Sequence, residues 1–147
     1  MKKIFFAATM LAFVSCSSSQ DSSSAKKKGD LSLEYASTIT AKELSKHLYN
    51  YASDEFEGRN TGEPGQKKAV QYLKKFYVDE KIPSPLGGDN YFQEVPATYL
   101  NKFSRARNLK DSENVVAFIK GSEKPDEIIV ISAHLDHVGM NKNGEIY

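Results

Sequence analysis

The sequence predicts an α/β sandwich, a mixed and mainly buried sheet flanked by helices, on three observations. Two segments with helical apolar spacing occupy the first half of the chain, over residues 41–52 and 66–80. Two apolar runs follow, Val115 to Ile119 and Ile128 to Ala133, separated by a polar stretch that holds Gly121 and Pro125. That is the pattern of two strands and a short connection. The second run carries Ile128, Ile129, Val130 and Ile131 with no polar alternation, as expected of a central strand covered on both faces.

Composition sets the outer bounds. A chain of 147 residues, 27% charged and 39% hydrophobic, is ordinary for one soluble domain. With a net charge of +1 and both signs interspersed, there is no basic face for nucleic acid and no acidic tail. Cys16 is the only cysteine. An internal disulfide and a thiolate zinc site are therefore excluded, and any metal must be held by histidines and carboxylates.

Residues 1–15 read as a signal segment: Lys2 and Lys3 precede an apolar run from Ile4 to Val14 that is too short to span a bilayer needing about 20 residues. The residues FVSC followed by SSS resemble the cleavage box of bacterial lipoproteins, with Phe13 in place of the commoner Leu. The resemblance implies lipidation of Cys16 and an exported protein anchored by that lipid in the bacterial cell envelope. Residues 16–36 read as a serine- and lysine-rich tether with few side chains to bury. The Lys26, Lys27, Lys28 cluster within it reads as solvated and is assigned no partner.

From Thr40 the pattern turns helical. Thr40 and Glu43 stand at capping-box spacing ahead of Leu44, Leu48 and Tyr51, predicting a helix from Ala41 to about Ala52. His47 falls between those positions and reads as a surface histidine. Ser53 to Gly65 is a loop by its glycines, with Asp54, Glu55 and Glu57 read as solvated or paired to Arg59. Pro64 suits the first turn of a second helix, Gln66 to about Glu80, whose Ala69, Leu73, Phe76 and Tyr77 stripe is expected on the sheet. Pro83, Pro85, Gly87 and Gly88 punctuate the following connection. Tyr91 to Val95 is β-prone, and Pro96 limits it to an edge or strand end. Thr98 to Ser112 shows no regular period, and its Arg105 and Arg107 read as surface residues more readily than as an anion site.

Chemistry gathers where the second apolar run stops. His134, Asp136 and His137 follow Ala133 at once, and Gly139 breaks the run. Open α/β sheets place ligands at such carboxyl ends of strands. If the extended geometry persists, His134 and Asp136 share one face and His137 takes the other. An imidazole beside a carboxylate suits a metal ligand with an orienting partner. It equally suits a buried hydrogen-bonded pair, and on spacing alone the two readings carry equal weight.

The residues ENVVAFIKGSEKPDEIIVISAHLDHVG resemble the segment leading into the first metal ligand of the zinc-dependent aminopeptidases with a co-catalytic di-zinc site, which include secreted bacterial leucyl aminopeptidases. A second block upstream, ASDEFEGRNTGEPGQKKAVQYLKKF, is similar to the same family's amino-terminal region. The likeness runs roughly from Thr40 to Tyr147. It implies a three-layer sandwich truncated after the strand carrying the first metal ligand, with residues 37–147 as the incomplete amino-terminal part of the peptidase domain. It implies two zinc ions in the intact site, His134 as a zinc ligand, Asp136 as the catalytic carboxylate beside it, and a peptide substrate cut from its amino terminus. The family's other ligands and its general-base glutamate lie downstream of this motif, so the chain alone is expected to be inactive. Two alternatives share the scaffold: a single-zinc acyltransferase of the glutaminyl-cyclase type, and a receptor or binding module that has lost its ligands.

Overall fold

The computed structural model describes residues 31–106 and 108–147. Residues 1–30, with Cys16 and the lysine cluster, and Arg107 lie outside the described residues. The chain divides into two units, Met1–Thr38 and Ile39–Tyr147. In the first, α1 (Leu31–Ser37) is exposed throughout. Composition placed most of this stretch in the tether. Leu, Glu and Ala favour a helix locally, and the Ser37 and Thr38 hydroxyls close its end by donating to the Glu34 and Tyr35 carbonyls, each at 2.7 Å.

The second unit opens with α2 (Ala41–Tyr51), held at its start as the spacing predicts. The Glu43 N–H donates to Thr40 Oγ1 at 3.2 Å, and the Thr40 N–H donates to the Glu43 carboxylate at 3.4 Å, satisfying two of the helix's orphan donors. A 3-10 segment, Asp54–Arg59, follows and leads into α3 (Pro64–Asp79). Pro64 stands in the first turn of α3, where its missing N–H costs nothing. This helix buries Gly65, Gln66, Ala69 and Val70; of the stripe expected from its periodicity Ala69 is buried, whereas Leu73, Phe76 and Tyr77 are only half-buried. The reason is local: Phe56, 4% exposed, and its neighbours cover the first turns of α3, while Gly65 lets the Phe56 carbonyl lie directly against the helix.

His47 is not the surface histidine its position suggests. Its Nδ1 lies 2.7 Å from the Tyr72 hydroxyl, and its ring meets Phe76 edge-on at 5.2 Å. It thus tethers α2 to α3. Between the two helices runs an apolar groove of about 320 Å³ lined by Leu44, His47, Leu48, Tyr72 and Phe76 among others.

The strands β1 (Phe92–Val95) and β2 (Ser112–Val115) form a two-stranded antiparallel sheet, with Phe92 opposite Val115 and Val95 opposite Ser112. Tyr91, just before β1, is buried against Tyr77 with rings 6.2 Å apart and nearly parallel. Its hydroxyl donates to the Ile82 carbonyl at 2.7 Å, which seats the sheet on α3. A helix the periodicity missed, α4 (Ala97–Phe103), starts after Pro96. Asn101 secures the loop behind it, accepting from the Leu109 N–H and donating to the Leu109 carbonyl.

Two strand expectations fail. The strand expected over Val115 to Ile119 runs instead over Ser112–Val115; beyond it the Val116 N–H donates to the Tyr91 carbonyl and the Phe118 N–H to the Pro83 carbonyl, each at 2.9 Å, without continuing the ladder. Ile128 to Ala133 forms no strand at all, and Ile129 and Ile131 are 90% and 93% exposed. A strand exists only through neighbours that take its N–H and C=O groups. Among the described residues none pairs with this run. The result is a small mixed helix and strand domain.

Candidate functional site

The site grows from a contact between distant parts of the chain. After Phe56 the backbone leaves the helical region, with positive φ at Glu57, Gly58 and Arg59. The chain becomes extended again only at Asn60, and the turn presents its carbonyls to residues 137–139. An isolated parallel bridge joins Asn60 and His137, the His137 N–H donates to the Arg59 carbonyl at 3.0 Å, and the Gly139 N–H donates to the Gly58 carbonyl at 2.9 Å. Both glycines are required by the approach. A Cβ at Gly58 would stand 2.8 Å from backbone carbons of Gly139, and a Cβ at Gly139 would overlap the Asn60 side chain.

Side chains complete the joint. Arg59 donates through Nε to the Leu135 carbonyl at 3.2 Å and through Nη1 to the Tyr51 carbonyl at 2.6 Å, with its guanidinium 4.6 Å from the centre of the Tyr51 ring. The acids of this loop read as solvated or paired to Arg59, and Arg59 turns to these carbonyls. Lys68 takes the pairing instead, bonding Glu57 at 2.7 Å and the Glu55 carbonyl at 3.0 Å. The Tyr51 hydroxyl donates to the same Leu135 carbonyl at 3.4 Å. Burial pushes the Tyr51 phenol up to about 12, with the Arg59 charge opposing and the Asp136 charge adding, so Tyr51 is a neutral donor at physiological pH.

His134 and Asp136 stand where this joint leaves them. Thr61 Oγ1 donates to Asp136 Oδ2 at 2.5 Å, a length typical of a hydroxyl on an ionised carboxylate. The other carboxylate oxygen, Oδ1, lies 3.6 Å from His134 Nδ1, beyond hydrogen-bond reach. The imidazole instead meets the Asp136 backbone carbonyl, 2.9 Å from Nδ1. A carbonyl can only accept, so Nδ1 is the donor in this bond, and Nε2 is the ring nitrogen the bond leaves unused. His134 is well exposed and Asp136 partly so. The shared environment expected of the two residues is present, but the direct contact runs through backbone rather than carboxylate.

An imidazole with Nδ1 engaged and Nε2 open suits one metal ligand. A catalytic zinc takes three protein ligands, and among the described residues no group of three His, Cys, Asp or Glu side chains lies close enough to hold a metal ion. His134 can offer one donor, and the described residues supply no set of three around it. Among the described residues no helix is long and apolar enough to cross a membrane.

Periodicity marked Tyr51 only as an apolar position of α2, and it did not single out Arg59 or Thr61. The signal available was the glycine-bracketed GRNTG stretch, Gly58 to Gly62, whose polar residues sit between two points where only glycine fits. Comparison with known protein families, with curated proteins and with solved structures found no match for the chain.

Proposed function

We propose that this chain is the front portion of an envelope-anchored zinc metallopeptidase that removes residues from the amino termini of peptides. One observation carries the reading: the two blocks of sequence that resemble the di-zinc aminopeptidases, 75 positions apart at Thr61 and Asp136, meet in one site. The segment bearing the resembled zinc ligand is held there by backbone and side chains of the other block. Sequence likeness alone did not require this.

In this reading Ile128 to Ala133 becomes the central strand of a three-layer sandwich. The bare apolar surface of Ile129 and Ile131 supports it, since a run of this kind is stable when strands and helices cover it. Residues downstream of Tyr147 would supply that cover, the other metal ligands and the general-base glutamate. His134 would offer Nε2 to one ion. Zinc, when bound, supplies a Lewis acid for the peptide carbonyl and acidifies a bound water. Asp136 holds its charge beside His134, and Arg59 and Tyr51 fix the backbone between them. Cys16 would carry the lipid that keeps the protein in the envelope.

An aminopeptidase assay tests this on the protein extended through the downstream ligands, with chelator and zinc add-back. Turnover lost to chelator and restored by zinc is expected. An extended protein that binds zinc yet cleaves no peptide would refute the peptidase reading, and transfer or cyclisation of glutaminyl substrates would replace it with the acyltransferase.

A further inference from the structure

The geometry points to Thr61 as the positioning residue for Asp136, an inference that rests on the peptidase reading for its catalytic consequence but not for its structural content. The Thr61 hydroxyl is the only side-chain donor given to the Asp136 carboxylate among the described residues, and it takes Oδ2 alone. Carboxylate torsions are otherwise broad, and a partly exposed aspartate exchanges among rotamers. With Oδ2 tied to Thr61, the remaining oxygen stays on the His134 side, 3.6 Å from Nδ1.

Thr61 is itself well placed to hold something. It directly follows Asn60, whose bridge to His137 fixes the backbone on one side. Two residues later the Glu63 N–H donates back to the Asn60 carbonyl at 2.9 Å, closing a turn. Lys110 bonds Glu63 at 2.7 Å on the outer side of that turn. The hydroxyl therefore sits on a braced turn one residue beyond the parallel bridge, and Asp136 sits one residue before it on the other strand. Among the described residues no comparable donor reaches Oδ1, which leaves that oxygen available to a substrate amine, a water or a metal-bound group.

Two measurements test this, and they fail separately. On the chain described here, three-bond couplings to the Asp136 side-chain carbon read its χ1 torsion by NMR. One rotamer is expected in the wild type and in Thr61→Ser, and averaging in the isosteric Thr61→Val. A single rotamer persisting in a folded Thr61→Val overturns the proposal. In the extended peptidase, Thr61→Val should lower kcat about tenfold at unchanged KM and zinc content, and Thr61→Ser should recover most of it. In an Asp136→Asn background the Thr61→Val effect should vanish, because the two act as one unit. Full additivity of the two losses would also overturn it. An inactive extended wild type would refute the peptidase reading alone and leave the torsion measurement to decide the role of Thr61.

Discussion

Gly58→Ala probes the joint on which the site depends. Gly58 has φ +63°, and an added Cβ would lie 2.8 Å from Gly139 carbonyl carbon and Cα. These are backbone atoms, so no rotamer change relieves the overlap, and the two segments must part. The cost has two sources. An alanine held in the left-handed region costs roughly 1 to 2 kcal/mol. The two backbone bonds lost, from Gly139 to Gly58 and from His137 to Arg59, contribute roughly 1 kcal/mol each. A loss of about 3 to 4 kcal/mol follows, a large share of the roughly 5 to 15 kcal/mol of an ordinary domain. With a urea slope of roughly 1 to 3 kcal/mol per molar, the midpoint should fall by about 1 to 4 M. Gly144→Ala is the control, since its φ of +83° carries the same strain with nothing within 4 Å of the new Cβ. Amide exchange at His137 and Gly139 should accelerate in Gly58→Ala and stay slow in Gly144→Ala. Equal destabilisation by the two substitutions, with both amides still protected, would refute the reasoning.

Other outcomes follow from the same geometry. Thr40→Ala removes the hydroxyl half of the capping box and should cost about 1 kcal/mol, read as a lower urea midpoint and faster exchange in the first turn of α2. Tyr51 is neutral when protonated and its folded value is raised from 10.0 to about 12. Its contribution to stability is therefore complete below pH 10 and lost as pH rises to 12. The phenolate absorbance titration of the wild type minus that of Tyr51→Phe should show this late midpoint, and a difference curve centred near 10 would contradict it. Lysines at Ile129 and Ile131, which are 90% and 93% exposed, should suppress association of the chain seen by sedimentation. Unchanged, concentration-independent monomer in the parent chain would show that the run is harmless. On the proposal that Cys16 carries the lipid, Cys16→Ser should release the full-length protein from membranes, since stable anchoring takes more than one acyl chain. An unmodified Cys16 in membrane-bound protein would contradict that.

The sequence was most legible where the physics is local. The Thr40 and Glu43 box and the Pro64 start depend on a few adjacent residues, and both helices stand where those residues put them. Strands depend on partners, and there the reading failed: Ile128 to Ala133 has the composition of a buried strand but finds no hydrogen-bonding neighbour. The burial of Gln66 in place of Leu73 or Phe76 likewise came from what covers α3, which its own periodicity cannot report. At the site, His134 and Asp136 were visible as chemistry at the end of an apolar run. Arg59 and Thr61 were not, because their meaning lies in a parallel contact across 75 or more positions that no local pattern encodes.

Zinc content tests the central claim most directly, that His134 is a metal ligand held in place by the Gly58 to Thr61 loop. The measurement is native mass spectrometry of the protein extended beyond Tyr147, as wild type, His134→Ala and Gly58→Ala. A zinc pair is expected in the wild type, with loss of at least one ion in His134→Ala and weakened zinc retention in Gly58→Ala. A His134→Ala protein that keeps its full zinc complement and its full peptidase turnover would contradict the claim.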